Sequence, residues 1–218
     1  YIYNLSKEIG IEIIPISEYK DQKLALNHNT QGVIAVIFGK KITNHIYFEK
    51  FITDFNPTEF QNSIFLYLDK INDPHNFGAI LRSSYNFGVK TVFYSSKFSP
   101  EINDTIGRCS SGCLFDMKLV EVLEEIQCID FFKKNNIELI GSFPRVEKSK
   151  NISKLNPPFC LVLGSEGKGI SEEISKHFSY NIIIPGDAES LNVNAACAVI
   201  LSYLTGISPK IFSKNEII

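Results

Sequence analysis

The sequence predicts an α/β fold, a parallel sheet covered by helices on both faces. Short, nearly all-apolar runs recur from Ser63 onward, as expected of strands buried on two sides. Stretches of helical periodicity separate them, the alternation that builds βαβ units. Polar or glycine-rich loops follow several of the runs, where open parallel sheets place their ligands.

Residues 1–50 read as a first, smaller unit. Within it, residues 11–16 are expected as a short strand, 18–27 as a helix and 32–38 as a second apolar strand. That is little material for a core, since domains below about 40 residues usually need outside support. Residues 51–62 (FITDFNPTEFQN) lose periodicity around Asn56-Pro57 and are expected as a linker, leaving 63–218 as the main domain.

In that domain residues 64–68 (IFLYL) are expected as a strand, 76–87 as a helix and 91–94 (TVFY) as a strand. Phe77, Ile80, Leu81, Ser84 and Phe87 share one helical face, with His75 or Asn76 as the cap and Gly88 as the stop. Residues 103–112 read as a loop and 120–135 as a helix. Short strands are expected at 137–140, 160–163 and 181–184, with a short helix at 172–178 and a long last helix at 191–204.

Composition narrows the function classes. The formal charge of −2 excludes a surface that is basic throughout, so binding to nucleic acid would be local or shared with another subunit. Five cysteines without CxxC spacing point to a reducing, cytoplasmic setting and not to a disulfide framework. The N-x-S/T triplets at Asn4, Asn103 and Asn151 are then read as chance matches. No apolar run reaches the roughly 18 residues of a membrane span, and no signal peptide opens the chain. The chain begins at Tyr1 and its single Met is Met117, so a missing native N-terminus is expected.

Three stretches fall at carboxyl ends of expected strands: Asp73-Pro74-His75-Asn76-Phe77-Gly78-Ala79-Ile80-Leu81-Arg82, Leu163-Gly164-Ser165-Glu166-Gly167-Lys168-Gly169, and Ile184-Pro185-Gly186-Asp187-Ala188-Glu189-Ser190-Leu191-Asn192. The second fits neither a P-loop, because Ile170 follows Gly169, nor a GxGxxG fingerprint. Its glycines let backbone approach a ligand closely. Taken singly, these residues have ordinary readings. Arg82 suits a solvated helix surface, Glu166 suits a loop carboxylate, and Ser190 and Asn192 suit helix caps. Arg82 also lies six residues beyond Asn76, about one and two-thirds turns along, and so off the apolar face.

As a set, the three stretches resemble the SpoU family of RNA ribose methyltransferases, in the trefoil-knotted SPOUT superfamily. The first motif is carried by Asn76 to Arg82, the second by Leu163 to Gly169, and the third by Ile184-Pro185 with Ser190-Leu191-Asn192-Val193. Ser110-Ser111-Gly112-Cys113 matches a small-residue stretch between the first two motifs, and the likeness covers roughly 63–205. Weaker similarity over 9–38, ending in Thr30-Gln31-Gly32-Val33, links the first unit to a truncated ribosomal-protein L30e-like substrate-binding domain. There are two departures. Only Gly186 to Glu189 separate Pro185 from Ser190, fewer than usual, and Asn194 stands where serine is common.

The resemblance implies a deep C-terminal trefoil knot, which the small residues Ala195, Ala196, Cys197 and Ala198 would admit beside neighbouring backbone. It implies S-adenosylmethionine as cofactor, contacted by Gly164, Gly169, Ile184, Pro185 and Leu191, and needing no metal. It implies a ribose 2′-hydroxyl of structured RNA as acceptor, with ribosomal RNA favoured over transfer RNA. Catalytic roles then fall to Arg82, Glu166, Ser190, Asn192 and Asn76, with the proton acceptor left open between Arg82 and Glu166. A homodimer packed through the knotted domain is also implied, with local basic patches from Lys40-Lys41, Lys133-Lys134, Arg145, Lys148 and Lys150. Two other readings compete: an RNA-binding protein that keeps the fold without catalysis, and a nucleotide-dependent oxidoreductase, for which the glycine spacing is wrong. His28, His45, His177 and the Cys109/Cys113 pair lack partners at metal-ligand spacing and read as structural or surface residues.

Overall fold

Apolar side chains that alternate along a strand must be covered on both faces, and seven parallel strands meet that demand here. The computed structural model describes residues 2–18, 45–143, 155–187 and 190–207. The chain divides into two compact units, Tyr1–Lys40 and Lys41–Ile218. In the first, α1 spans Ile2–Ile9 and a 3-10 turn spans Ile16–Glu18. The strand expected at 11–16 is absent: residues 11–15 carry no regular structure, and Pro15 has no N–H to give a ladder. The elements expected at 18–27 and 32–38 lie, beyond Glu18, outside the described residues.

The second unit runs β1 (His45–Tyr47), α2 (Phe48–Thr53), β2 (Ile64–Asp69), α3 (Pro74–Asn86), β3 (Thr91–Ser95), α4 (Asp104–Cys109), β4 (Lys118–Val122), α5 (Glu125–Lys134), β5 (Glu138–Phe143), β6 (Phe159–Gly164), α6 (Glu172–Ser175), β7 (Tyr180–Ile183) and α7 (Val193–Thr205). The sheet order is β1-β4-β3-β2-β6-β5-β7, and every pairing is parallel. Period-two alternation sorts the core into two layers. Leu66, Leu68, Val92, Leu161 and Leu163 face α3 and α7, where Phe77, Ile80, Leu81, Cys197 and Leu201 complete one layer. Phe65, Tyr67, Phe93, Cys160 and Val162 face the other way, into a layer with Phe48, Phe51, Cys128, Phe132 and Ile174.

That second layer corrects the expected linker. Phe51 is 1% exposed and meets Phe93 edge-on at 5.0 Å. Phe55 meets Phe131 at 4.7 Å, and Phe60 meets Phe65 at 5.7 Å. Residues 51–62 therefore pack into the sheet unit, with β1 paired to β4, and the division falls at Lys40–Lys41 instead of near residue 50. Asn56-Pro57 does break the helix, but the phenylalanines around it are core.

Two other expectations change. The helix expected at 120–135 begins only at Glu125, because Leu119 and Val120 alternate between the two core layers as β4 residues. The loop expected at 103–112 contains α4, whose N-cap Asn103 accepts the Ile106 N–H at 3.1 Å. The start of α3 is capped by Asp73, which accepts the His75 N–H at 2.9 Å ahead of Pro74, so neither His75 nor Asn76 is the cap.

If 51–62 packs as described, Phe51→Ala lowers folding stability by about 3–5 kcal/mol, the range for truncating a buried aromatic. Urea unfolding of the variant measures it; a midpoint equal to wild type would return the segment to a linker.

Candidate functional site

The loops after β2, β6 and β7 leave the same edge of the sheet, because parallel strands put their carboxyl ends together. A cavity of about 760 Å³ opens there, within the roughly 300–1,000 Å³ typical of small-molecule and cofactor sites. Its lining includes all five expected cofactor residues, Gly164, Gly169, Ile184, Pro185 and Leu191, together with Glu166 and Ser190. Val193 of the third motif and Ala196 of the small-residue run also line it, as do Ser142 and Phe143 at the end of β5 and Ile183, which were not singled out in the sequence. Ser142 and Phe143 carry no motif; their position at a strand's carboxyl end was the available signal.

The second loop doubles back tightly. Gly169 N–H donates to the Ser165 carbonyl at 2.8 Å, and Gly169 adopts φ of +66°. A Cβ on Gly164 would sit 2.2 Å from the Gly169 carbonyl carbon and 2.3 Å from the Ile170 nitrogen, so only glycine fits. Farther along, the Ser171 N–H donates to buried Asp69 Oδ2 at 2.6 Å, which ties the loop to the end of β2. Burial, and then the Asp69 charge, raise the nearby Glu125 carboxyl above its ordinary range.

Glu166 joins two asparagines at the rim. Its Oε1 accepts from Asn192 Nδ2 at 2.8 Å and from Asn76 Nδ2 at 3.1 Å. Asn192 Nδ2 also donates to Asn76 Oδ1 at 3.1 Å, closing a triangle from three loops. Asn192 is at the same time the N-cap of α7, its Oδ1 accepting the Asn194 N–H at 3.0 Å. That bond fixes which end of the amide faces Glu166.

Arg82 stands apart. It is exposed on α3, outside the cavity lining, and its carbonyl accepts from Asn86 Nδ2 at 3.1 Å. Among the described residues no hydrogen bond or ion pair reaches its guanidinium. The small residues at the start of α7 also divide: Ala196 lines the cavity and Cys197 is core, but Ala195 is exposed. Burial raises the thiols of Cys128 and Cys160 well above their ordinary range and that of Cys197 to about 12, so none of the three is a thiolate at neutral pH. No cluster of three metal-ligating side chains occurs among the described residues.

Residues 63–202 match the model of the SpoU rRNA Methylase family. The chain belongs to this family. Its class of reaction is therefore methyl transfer to RNA with S-adenosylmethionine as donor. A relative from Borreliella burgdorferi, an uncharacterized tRNA/rRNA methyltransferase, is 30% identical over 92% of this chain and 90% of its own. The 23S rRNA (guanosine-2'-O-)-methyltransferase RlmB of Photorhabdus laumondii is 30% identical over 81% of this chain and 73% of its own. The fold resembles that of the SpoU methyltransferase AviRb from Streptomyces viridochromogenes in complex with the cofactor AdoMet. There the TM-score is 0.59 at 23% identity, over 67% of this chain and 60% of that one. No described helix is long and apolar enough to cross a membrane.

The cavity's chemistry suits such a donor: Ile183, Ile184 and Leu191 offer apolar wall, and the glycine loop offers main-chain N–H and C=O groups. Gly164→Ala is expected to weaken S-adenosylmethionine binding at least about tenfold, or about 1.4 kcal/mol, because main chain must shift to admit the methyl. Calorimetric titration of a variant with native circular dichroism measures this; unchanged affinity would place the donor elsewhere.

Proposed function

We propose that this SpoU methylase methylates a ribose 2′-hydroxyl of structured ribosomal RNA. The observation that carries this reading is the Asn76–Glu166–Asn192 triangle, which stands at the rim of the cavity assigned to the methyl donor. The relative named for 23S rRNA and guanosine 2'-O chemistry supports the substrate class.

Bound S-adenosylmethionine supplies an electrophilic methyl on a sulfonium. The protein supplies alignment and a more reactive hydroxyl. Holding the reacting groups in line is worth about 7–11 kcal/mol. Gly164, Gly169, Ile184, Pro185 and Leu191 hold the donor through backbone and apolar contact. Arg82 serves the acceptor side, where its guanidinium stabilises negative charge on the hydroxyl and the adjoining phosphate. A guanidinium keeps its proton at neutral pH and is therefore a poor base. Glu166 takes the proton. Its Oε1 is held by two amides, and among the described residues no hydrogen bond occupies Oε2. Ser190, on the cavity wall, orients the ribose, and Asn76 and Asn192 orient Glu166.

The same reading includes a knot: the C-terminal segment is threaded through a loop of the chain beside the donor. The return from β7, at the sheet edge, past β5 and β6 to pack α7 against the α3 layer supports it. It also includes a homodimer with RNA crossing the joint surface. Val199 and Tyr203, one turn apart on α7 and 47% and 53% exposed, support that surface. The unit Tyr1–Lys40 belongs to an L30e-like substrate-binding domain in this reading.

Arg82→Ala is expected to bind S-adenosylmethionine as wild type does and to transfer methyl groups about 10²–10³-fold more slowly, the cost of losing one charge-stabilising group. Single-turnover methylation measures it, and full activity would remove Arg82 from the mechanism. Mapping 2′-O-methyl positions in ribosomal RNA from cells with and without the gene identifies the nucleotide. No change at any position would overturn the ribosomal assignment.

A further inference from the structure

One hydrogen bond near the site has no place in the roles above. Ser83 Oγ donates to Asn194 Oδ1 at 2.6 Å, across 111 positions of sequence. Ser83 directly follows Arg82 on α3, and Asn194 lies two residues after Asn192, in the first turn of α7. The Asn194 main-chain N–H meanwhile donates to Asn192 Oδ1 at 3.0 Å. One residue thus reaches in two directions. Its backbone locks the Asn192 amide, whose other end holds Asn76 and Glu166, and its side chain holds the turn of α3 that carries Arg82.

We infer that Ser83 and Asn194 are positioning residues, a two-residue clamp that sets Arg82 relative to the Asn76–Glu166–Asn192 triangle. This rests on the role given above to Arg82. The helices already pack through Ile80, Leu81, Val193, Cys197 and Leu201, but apolar packing is non-directional and tolerates a small slide. A short, part-buried hydrogen bond does not. Arg82 depends on where its turn of α3 sits because, among the described residues, no hydrogen bond or ion pair reaches its guanidinium. The clamp also accounts for Asn194 standing where the family often has serine: its amide oxygen, one carbon farther from the backbone than a hydroxyl, makes the reach to α3.

The clamp is tested with Ser83→Ala, Asn194→Ala, their double variant, Ser83→Thr, Asn194→Asp and Arg82→Ala. Each is assayed for S-adenosylmethionine affinity, unfolding midpoint, and kcat and KM for an RNA the wild type methylates. Each alanine variant is expected to lose about tenfold in kcat, since displacement of a catalytic group by about 1 Å costs up to roughly 10²-fold. Donor affinity and unfolding midpoint stay near wild type. The double variant is no slower than the slower single one, as for two residues acting as a unit. Ser83→Thr and Asn194→Asp, which keep the donor hydroxyl and the acceptor oxygen, restore most of the rate. Wild-type kcat in both alanine variants, additive losses in the double variant, or a rate loss that tracks a lowered unfolding midpoint would each overturn the clamp. If those variants behave as wild type while Arg82→Ala is slow, only the clamp fails; if Arg82→Ala is fully active, the catalytic reading fails first.

Discussion

A single carboxamide governs the site. Asn192 spends its oxygen on the first turn of α7 and its nitrogen on Glu166 and Asn76, so helix capping and site assembly are one event. The helix start needs an acceptor for its exposed N–H groups, and the acceptor's orientation decides which way the two donor hydrogens point. A side chain that, taken singly, suits a helix cap is therefore also the joint between three loops.

The sheet makes that joint reachable. With every strand parallel, the loops after β2, β6 and β7 emerge on one edge, and β6 lies next to β2. Their register pairs Asp69 with Gly164, the last residues before the first and second loops. Asp69 then receives the Ser171 N–H, so the glycine loop is anchored at its far end by the strand beside it. Between those anchors the chain folds back on Gly164 too closely for any side chain, leaving main-chain polar groups available along the cavity. The cavity wall here is closely packed backbone, whereas Arg82 stands exposed outside it.

Much of the architecture was legible beforehand. Strands with both faces apolar, such as Ile64–Asp69 and Phe159–Gly164, declare themselves as short continuous runs. Errors cluster where local pattern is ambiguous or overruled. Lys118–Val122 runs into the helix after it with no glycine or proline between, and pairing with β3 and β1 separates them. Phe51, Phe55 and Phe60 surround a helix-breaking Asn-Pro pair, which looks like a linker until a ring of other phenylalanines covers them. His45–Tyr47 is three residues long and is a strand because β4 offers it an edge.

The sequence by itself determined the alternation of strands and helices, a glycine-rich loop after Leu163, and the set of polar residues available at the loop mouths. Those follow from local sterics and short-range periodicity. Only the tertiary structure decided which of these residues touch. Asn76 meets Glu166 across 90 positions and Asn192 across 116, while Arg82, from the same helix as Asn76, faces outward. A hydrogen bond acts over about 3 Å, and which side chains come that close is set by strand order and loop closure, not by spacing along the chain.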